Sequence, residues 1–147
     1  MQIRMMEKNY FNLNEFLYSQ VALKNKIPNW PEDFWVIDNI RLKLLPALNK
    51  LREAWGSGIK ISSGYRSLAL NNYIKGSKTS MHMKGLAADL IPSNGQLDLF
   101  IQYVPIYFQD KPFDQIILES SGSSRWVHFG IENNEGLQRK QVLNINL

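Results

Sequence analysis

The sequence contains no cysteine, only two histidines and no long apolar run. Without cysteine, the protein has no disulfide framework, no cysteine-ligated zinc, no iron–sulfur cluster and no thiol nucleophile. Any transition metal must therefore be bound by histidine and carboxylate side chains. No run of about 18 apolar residues is present to cross a membrane, and the opening MQIRMMEKNYFNLNEF has no apolar centre of a secretory signal. We expect synthesis in the cytoplasm and no membrane insertion.

Composition and charge are those of an ordinary folded domain. The chain has 147 residues, of which 44% are hydrophobic and 20% are charged, close to the globular average. At roughly 100–200 residues per domain, we expect a single domain over residues 1–147, acting as a monomer. The net charge of +4 only weakly favours polyanionic partners. Because Lys75, Lys78 and Lys84 are sparse and not interleaved with aromatic residues, we expect no nucleic-acid partner.

Hydrophobic periodicity predicts helices in the first third of the chain. Asn12 and Glu15 have the spacing of a capping box, and the apolar repeat after them predicts a helix over about 13–23. A longer apolar stripe from Val36 to Trp55 predicts one helix kinked at Pro46 or two abutting helices.

The remainder of the chain alternates between short predicted strands and helices. Strands are predicted at 59–63, 86–91, 114–119 and 125–131, and helices at 68–74 and within 96–107. The stretch 75–85 is rich in Gly, Ser and Lys and is predicted to be a loop. The final residues, 141–147, form either an edge strand or a frayed tail.

The spacing of His82 and Asp89 suggests a shared site. On a straight strand their odd separation would place the side chains on opposite faces, but a bend at Gly85 lets both point to one centre. Ala87 and Ala88 leave room beside Asp89, whose buried charge would be costly without a cation. A structural role is the alternative for His82 taken by itself. The alternative for Asp89 is a carboxylate that belongs to a turn or a cap.

Strand periodicity relates the second histidine, His128, to Glu119. An even number of loop residues between the last two predicted strands places these two side chains on the same face of neighbouring strands. An odd number separates them. With the even loop, the other face is purely apolar: Ile116, Leu118, Val127, Phe129 and Ile131.

Two histidines and one aspartate make a ligand set typical of catalytic zinc. Three ligands, His82, Asp89 and His128, leave the fourth tetrahedral position for water, whose pKa zinc lowers towards about 7. Glu119 is the candidate to take the proton of this water and pass it to a leaving amine. Asp114 is the fallback for this base, and its expected position on the opposite face counts against it.

A series of short motifs extends through the chain: SGYRS at 63–67, LN at 70–71, GS at 76–77, SxHxxGxAxD at 80–89 and WVH at 126–128. In this combination they resemble the zinc D-alanyl-D-alanine carboxypeptidases and related phage and bacterial murein peptidases, over residues 10–131. The resemblance implies a hedgehog/DD-peptidase fold of the compact, phage-like branch. This fold is a small α+β domain in which N-terminal helices precede an antiparallel sheet that carries the metal.

The resemblance also implies roles for individual residues. Arg66 would hold the carboxylate of the substrate or polarise its carbonyl, with a surface arginine that caps a turn as the alternative. Ser80 would hydrogen-bond the substrate or support the site, and Trp126 would form a wall of the cleft; a structural role is the alternative for each. The implied ligands of Zn²⁺ are His82, Asp89 and His128.

One departure from the family pattern concerns the catalytic acid. Many relatives have Glu or Asp three residues before the last histidine ligand, where this chain has Arg125, which cannot accept a proton. In the compact branch the acid lies at the end of the preceding strand, and Glu119 matches that position.

The sequence therefore predicts a zinc-dependent peptidase that hydrolyses peptidoglycan stem peptides, similar to a D-Ala-D-Ala carboxypeptidase. An L-alanyl-D-glutamate endopeptidase with the same motifs is one alternative. A non-catalytic zinc-containing module that binds the cell wall, suggested by Arg125, is another. Because no secretory signal is expected, release to the wall by phage-type lysis fits an endolysin, and a cytoplasmic recycling role is the other possibility.

Overall fold

Five strands form one sheet in a computed structural model that describes residues 8–147. They are β1 (Ile59–Ser63), β2 (Ala87–Pro92), β3 (Gln115–Ser121), β4 (Ser124–Gly130) and β5 (Gln141–Asn146). Their spatial order is β1-β2-β4-β3-β5. Residues 1–7, which belong to the segment inspected for a secretory signal, lie outside the described residues.

The α+β class is confirmed, and the expected antiparallel sheet becomes mixed through its edge strand. Strands β1 to β4 pair antiparallel, whereas β5 runs parallel to β3. The reason lies in the connection 131–140. Because β4 ends beside the start of β3, the chain crosses to the outer side of β3 at that same end, and β5 then follows the direction of β3. The segment 141–147 is thus an edge strand, one of its two predicted forms.

The helices precede the sheet or connect its strands. The predicted helix over 13–23 is two helices, because the first ends at Tyr18 and Ser19 caps the second. A 3₁₀ turn, Met81–Lys84, lies inside the predicted loop. The helices are α1 (Leu13–Leu17), α2 (Gln20–Lys24), α3 (Phe34–Asn39), α4 (Leu45–Trp55), α5 (Leu68–Tyr73) and α6 (Leu97–Tyr107).

The long apolar stripe forms a continuous helical segment rather than two separate helices. A π-helical turn, Ile40–Leu44, joins α3 to α4. Within it the N–H of Leu45 donates to the carbonyl of Ile40, five residues back. Pro46 follows directly and has no N–H to donate. The wider turn therefore accommodates the proline at the position where a kink was predicted.

The core lies between one face of the sheet and the helices. Ile116, Val127 and Phe129 are buried on this face, and α6 packs across β2, β3 and β4. The clean apolar face predicted from the even loop is therefore the core face. The opposite face carries Asp89, Glu119 and His128. Within residues 8–147, no helix combines the length and apolar character needed to cross a bilayer.

Candidate metal centre

The two central strands bring two candidate ligands side by side. Asp89 on β2 and His128 on β4 are direct cross-strand partners, on the face opposite the core. His82 reaches the same point from the 3₁₀ turn, which ends at Gly85 with a left-handed φ of 71°. This conformation favours glycine, and a Cβ here would also collide with the backbone of Val36. The bend predicted at Gly85 is confirmed.

The three donor atoms form a nearly equilateral triangle. His82 Nε2 lies 3.3 Å from Asp89 Oδ1 and 3.3 Å from His128 Nδ1, and His128 Nδ1 lies 3.2 Å from Asp89 Oδ1. In a tetrahedral zinc site with bonds of roughly 2.0–2.1 Å, neighbouring ligand atoms are about 3.3–3.4 Å apart. The donor triangle therefore fits one face of such a tetrahedron. We call these three side chains the donor triangle below.

The surroundings keep the donor atoms in the form that a metal requires. His82 Nδ1 lies 2.8 Å from the carbonyl oxygen of Gly64, so this nitrogen carries the proton and the Nε2 lone pair is free. Burial lowers the pKa of His82, which favours the neutral ring. Burial alone would raise the pKa of Asp89, but the neighbouring histidines outweigh it and lower that pKa well below its usual range. Imidazole nitrogens beside a carboxylate are a donor set suited to zinc.

Ser80 caps the turn that carries His82. Its Oγ accepts a hydrogen bond from the backbone N–H of His82 at 3.2 Å, and it also lines the cleft beside the donor triangle. Of the two roles implied for Ser80, the contact with His82 supports a positioning role. Direct contact with substrate stays a prediction.

Arg66 lies against the donor triangle, just after β1. Its Nη2 donates to Asp89 Oδ2 at 3.4 Å, its Nε donates to Ser63 Oγ at 3.2 Å, and its Nη1 donates to Asn71 Oδ1 at 3.4 Å. Only 13% of the side chain is exposed. Asn71 is itself buried and donates to the carbonyl of Ser77. A surface arginine that caps a turn does not describe this position.

Glu119 reaches the donor triangle from β3. The hairpin between β3 and β4 has two loop residues, 122 and 123, so the even-loop register is confirmed. Glu119 Oε1 consequently lies 3.3 Å from His128 Nδ1. Burial, and next the negative charge of Asp89, raise the pKa of Glu119. A carboxylate whose pKa is shifted towards neutrality is suited to accept and return a proton.

Trp126 lies directly across the hairpin from Glu119. Its indole lines the cleft. The indole N–H is buried and makes no hydrogen bond of standard geometry with the described residues. This N–H is nonetheless close enough to the Glu119 carboxylate to act against the rise in the pKa of Glu119. The position agrees with the wall predicted for Trp126.

Asp114, the fallback for the catalytic base, and Arg125, at the position where many relatives have the acid, lie away from the donor triangle. Arg125 forms a surface ion pair with Asp98 at 2.8 Å. Asp114 is buried and accepts hydrogen bonds from the Arg139 side chain on both carboxylate oxygens, at 2.8 and 2.9 Å. It therefore joins two segments of the chain instead of facing the cleft.

All the remaining predicted site residues line one open cleft of about 770 Å³. A second, more apolar cavity of about 400 Å³ lies beside α4 and contains none of them. The site residues in the first cleft are Arg66, Ser80, His82, Asp89, Glu119, Trp126 and His128.

The model of the family described as Peptidase M15 matches residues 9–129. The match begins before α1, ends within β4 and includes every residue of the donor triangle. The chain belongs to the M15 peptidase family. No curated protein matches the chain. M15 membership confirms the predicted family and agrees with the α+β fold.

M15 membership makes the protein a metallopeptidase. M15 peptidases are typically zinc-dependent, and the donor triangle independently has the atoms and spacing that zinc requires. The zinc predicted from two histidines and an aspartate thus has both a family and a geometric basis.

Sequence reasoning assigned no role to several residues of this M15 site. The carbonyl of Gly64 and the side chain of Asn71 orient His82 and Arg66. Both lie inside the motifs at 63–67 and 70–71. The motifs therefore included these residues but did not indicate that they orient His82 and Arg66. Strand β5 also lines the cleft, through Leu143 and Ile145, and no motif pointed to it.

Proposed function

We propose that this M15 peptidase hydrolyses an amide bond of peptidoglycan stem peptides, with the D-Ala-D-Ala bond as the expected target. The contact of 3.3 Å between Glu119 and His128 carries the proposal. It places a carboxylate of raised pKa beside a zinc-type donor set, which is the arrangement that amide hydrolysis needs. When bound, zinc supplies Lewis-acid activation of water and polarisation of the scissile carbonyl.

Glu119 moves the proton in this proposal. Its carboxylate takes a proton from the attacking water and returns it to the amine nitrogen as the carbon–nitrogen bond breaks. Glu119 on β3 thereby takes the role of the acid that many relatives have at the position of Arg125 on β4. Trp126, opposite Glu119, shields this transfer from bulk water.

Arg66 binds an oxygen of the substrate. A guanidinium has five N–H donors, and three of those of Arg66 are directed to Ser63, Asn71 and Asp89. Within residues 8–147, one N–H on each terminal nitrogen remains for the substrate. Such a pair suits a carboxylate next to the scissile bond, and the C-terminal D-Ala of a D-Ala-D-Ala substrate supplies one.

A digest of a soluble disaccharide-pentapeptide by the zinc-loaded protein tests the proposal. We expect free D-Ala in the mass spectrum; a new D-Glu amino terminus would instead identify the endopeptidase. In Glu119→Gln, kcat should fall by at least about 100-fold with zinc content unchanged, since a positioned acid–base group contributes roughly 10²–10⁴. Asp98→Asn, which removes an exposed carboxylate, is the control and should retain activity.

Two results would overturn the proposal. The first is a protein that binds zinc and releases neither product, which would leave a wall-binding module. The second is full activity in Glu119→Gln. Release to the cell wall by phage-type lysis is a separate prediction that this digest does not address.

A further inference from the structure

Strand β5 extends the site face of the sheet beyond Glu119. In the parallel register, Leu143 is the partner of Ile117 and Ile145 is the partner of Glu119. Partners in a sheet project to the same face, so Leu143 and Ile145 continue the face that carries His128. The face that carries the candidate site therefore includes a strand, β5, that contributes none of the predicted catalytic or metal-binding residues.

This added strand presents apolar side chains to solvent inside the cleft. Leu143 and Ile145 are each 40% exposed, and Leu147 after them is 66% exposed. All three line the cleft. Apolar groups gathered at the edge of a polar cleft are typical of a surface that binds a ligand. We call Leu143 and Ile145 the apolar wall.

The apolar wall is held in place at both ends of β5. At the start, the backbone N–H groups of Lys140 and Gln141 donate to the carbonyls of Phe113 and Asp114 at 3.1 and 2.9 Å. At the end, the N–H of Leu147 donates to the carbonyl of Ser120 at 2.7 Å. The wall is thus a fixed surface whose position relative to Glu119 is set by the β3 register.

The wall lies outside the part of the chain that matches the family. That match ends at residue 129, and β5 begins at Gln141. The donor triangle, Arg66 and Glu119 all lie within the matched range. Strand β5 therefore adds a surface beside the site that comes from outside the matched range.

We propose that the apolar wall is a substrate subsite that binds an aliphatic side chain of the stem peptide, at the end of the substrate farthest from Arg66. The inference rests on the proposed function. Across the sheet the order is Arg66, Asp89, His128, Glu119 and then the wall. A peptide that crosses the strands with an oxygen on Arg66 extends its other end over the wall, where burial of aliphatic groups stabilises binding.

Binding and turnover of the same disaccharide-pentapeptide test the subsite. For Leu143→Ser with Ile145→Ser, we expect Kd and KM to rise about tenfold, as loss of partial burial of two aliphatic side chains implies. The kcat value and zinc content should remain within about twofold of the wild type. Val142→Ser is the matched control, because Val142 lies on the same strand, is 55% exposed and points to the opposite face. Its Kd should be unchanged.

The conservative pair Leu143→Met with Ile145→Val should bind like the wild type, which separates apolar contact from loss of folding. Equal Kd values for the serine pair, the control and the wild type overturn the subsite and leave the peptidase proposal intact. A serine pair that changes only the oligomeric state, with Kd unchanged, also overturns it, since the wall would then bind a second copy. Wall-dependent binding without cleavage supports the subsite and overturns the peptidase proposal.

Discussion

The two carboxylate oxygens of Asp89 serve different neighbours. Oδ1 faces both histidines of the donor triangle, and Oδ2 accepts the hydrogen bond from Arg66. One side chain therefore couples the donor triangle to Arg66, the arginine proposed to bind substrate. Loss of this carboxylate should impair metal binding and the orientation of Arg66 together, since both depend on the same group.

A substitution of Ser80 distinguishes its two implied roles, which are positioning His82 and binding substrate. Because Ser80 Oγ accepts the N–H of His82, Ser80→Ala should weaken zinc affinity about tenfold, measured by competition with a chelator. The KM should change little once the protein is saturated with zinc. Thr79→Ala, which alters an adjacent exposed hydroxyl, is the control. A raised KM with unchanged zinc affinity would show instead that Ser80 contacts substrate.

At the scale of elements, local rules predicted the first four strands, α5 and α6 closely, and the N-terminal helices less well. Strand β1 has its predicted bounds, and the β3–β4 register followed from counting loop residues. The break at Tyr18 was missed because apolar periodicity continues across it. The direction of β5 was not predictable, since it depends on the path of 131–140 and not on any repeat within the strand.

The ion pair between Asp114 and Arg139 anchors β5 and gives it a pH dependence. Burial alone would raise the pKa of Asp114, but the hydrogen bonds from Arg139 outweigh it and lower that pKa. The stabilisation is therefore complete above the unfolded value of about 3.9 and is lost as the pH falls through the folded pKa. We expect Asp114→Asn to lower Tm by roughly 5 °C at pH 7.

The Tm difference between Asp114→Asn and the wild type should shrink below about pH 4, where the wild-type carboxylate is also being protonated. Thermal unfolding at pH 7 and pH 3 measures this. Asp98→Asn removes only a surface ion pair and should change Tm by about 1 °C or less. Equal Tm differences for Asp114→Asn at both pH values would contradict the role of the ion pair.

At the scale of the whole molecule, the sequence predicted which residues meet but not how they are supported. The bend at Gly85 and the even hairpin loop bring His82, Asp89 and Glu119 towards His128, and both are local features of the chain. The contacts of Arg66 with Asn71 and of His82 with Gly64 depend on tertiary packing. No periodicity encodes such contacts, so the structure alone revealed them.

Metal removal should destabilise the whole fold. The donor triangle joins His82 to His128 across 46 positions, and unfolding destroys the site, so bound metal stabilises the folded state by mass action. Chelation should lower Tm by about 10 °C if zinc is present at roughly 1,000 times its Kd. Calorimetry with and without chelator measures the shift. His128→Ala should show none; a shift of similar size in this variant would place the metal elsewhere.

The strand order also separates parts of the molecule that tolerate change from parts that do not. The donor triangle occupies the turn and strands nearest the centre, flanked by neighbours on both sides, whereas β5 has a neighbour on one side only. We expect that substitutions on the outermost strand accumulate without disturbing the donor triangle or Glu119. Over evolutionary time, such a sheet can acquire new substrate preferences at its edge while the reaction at its centre is inherited unchanged.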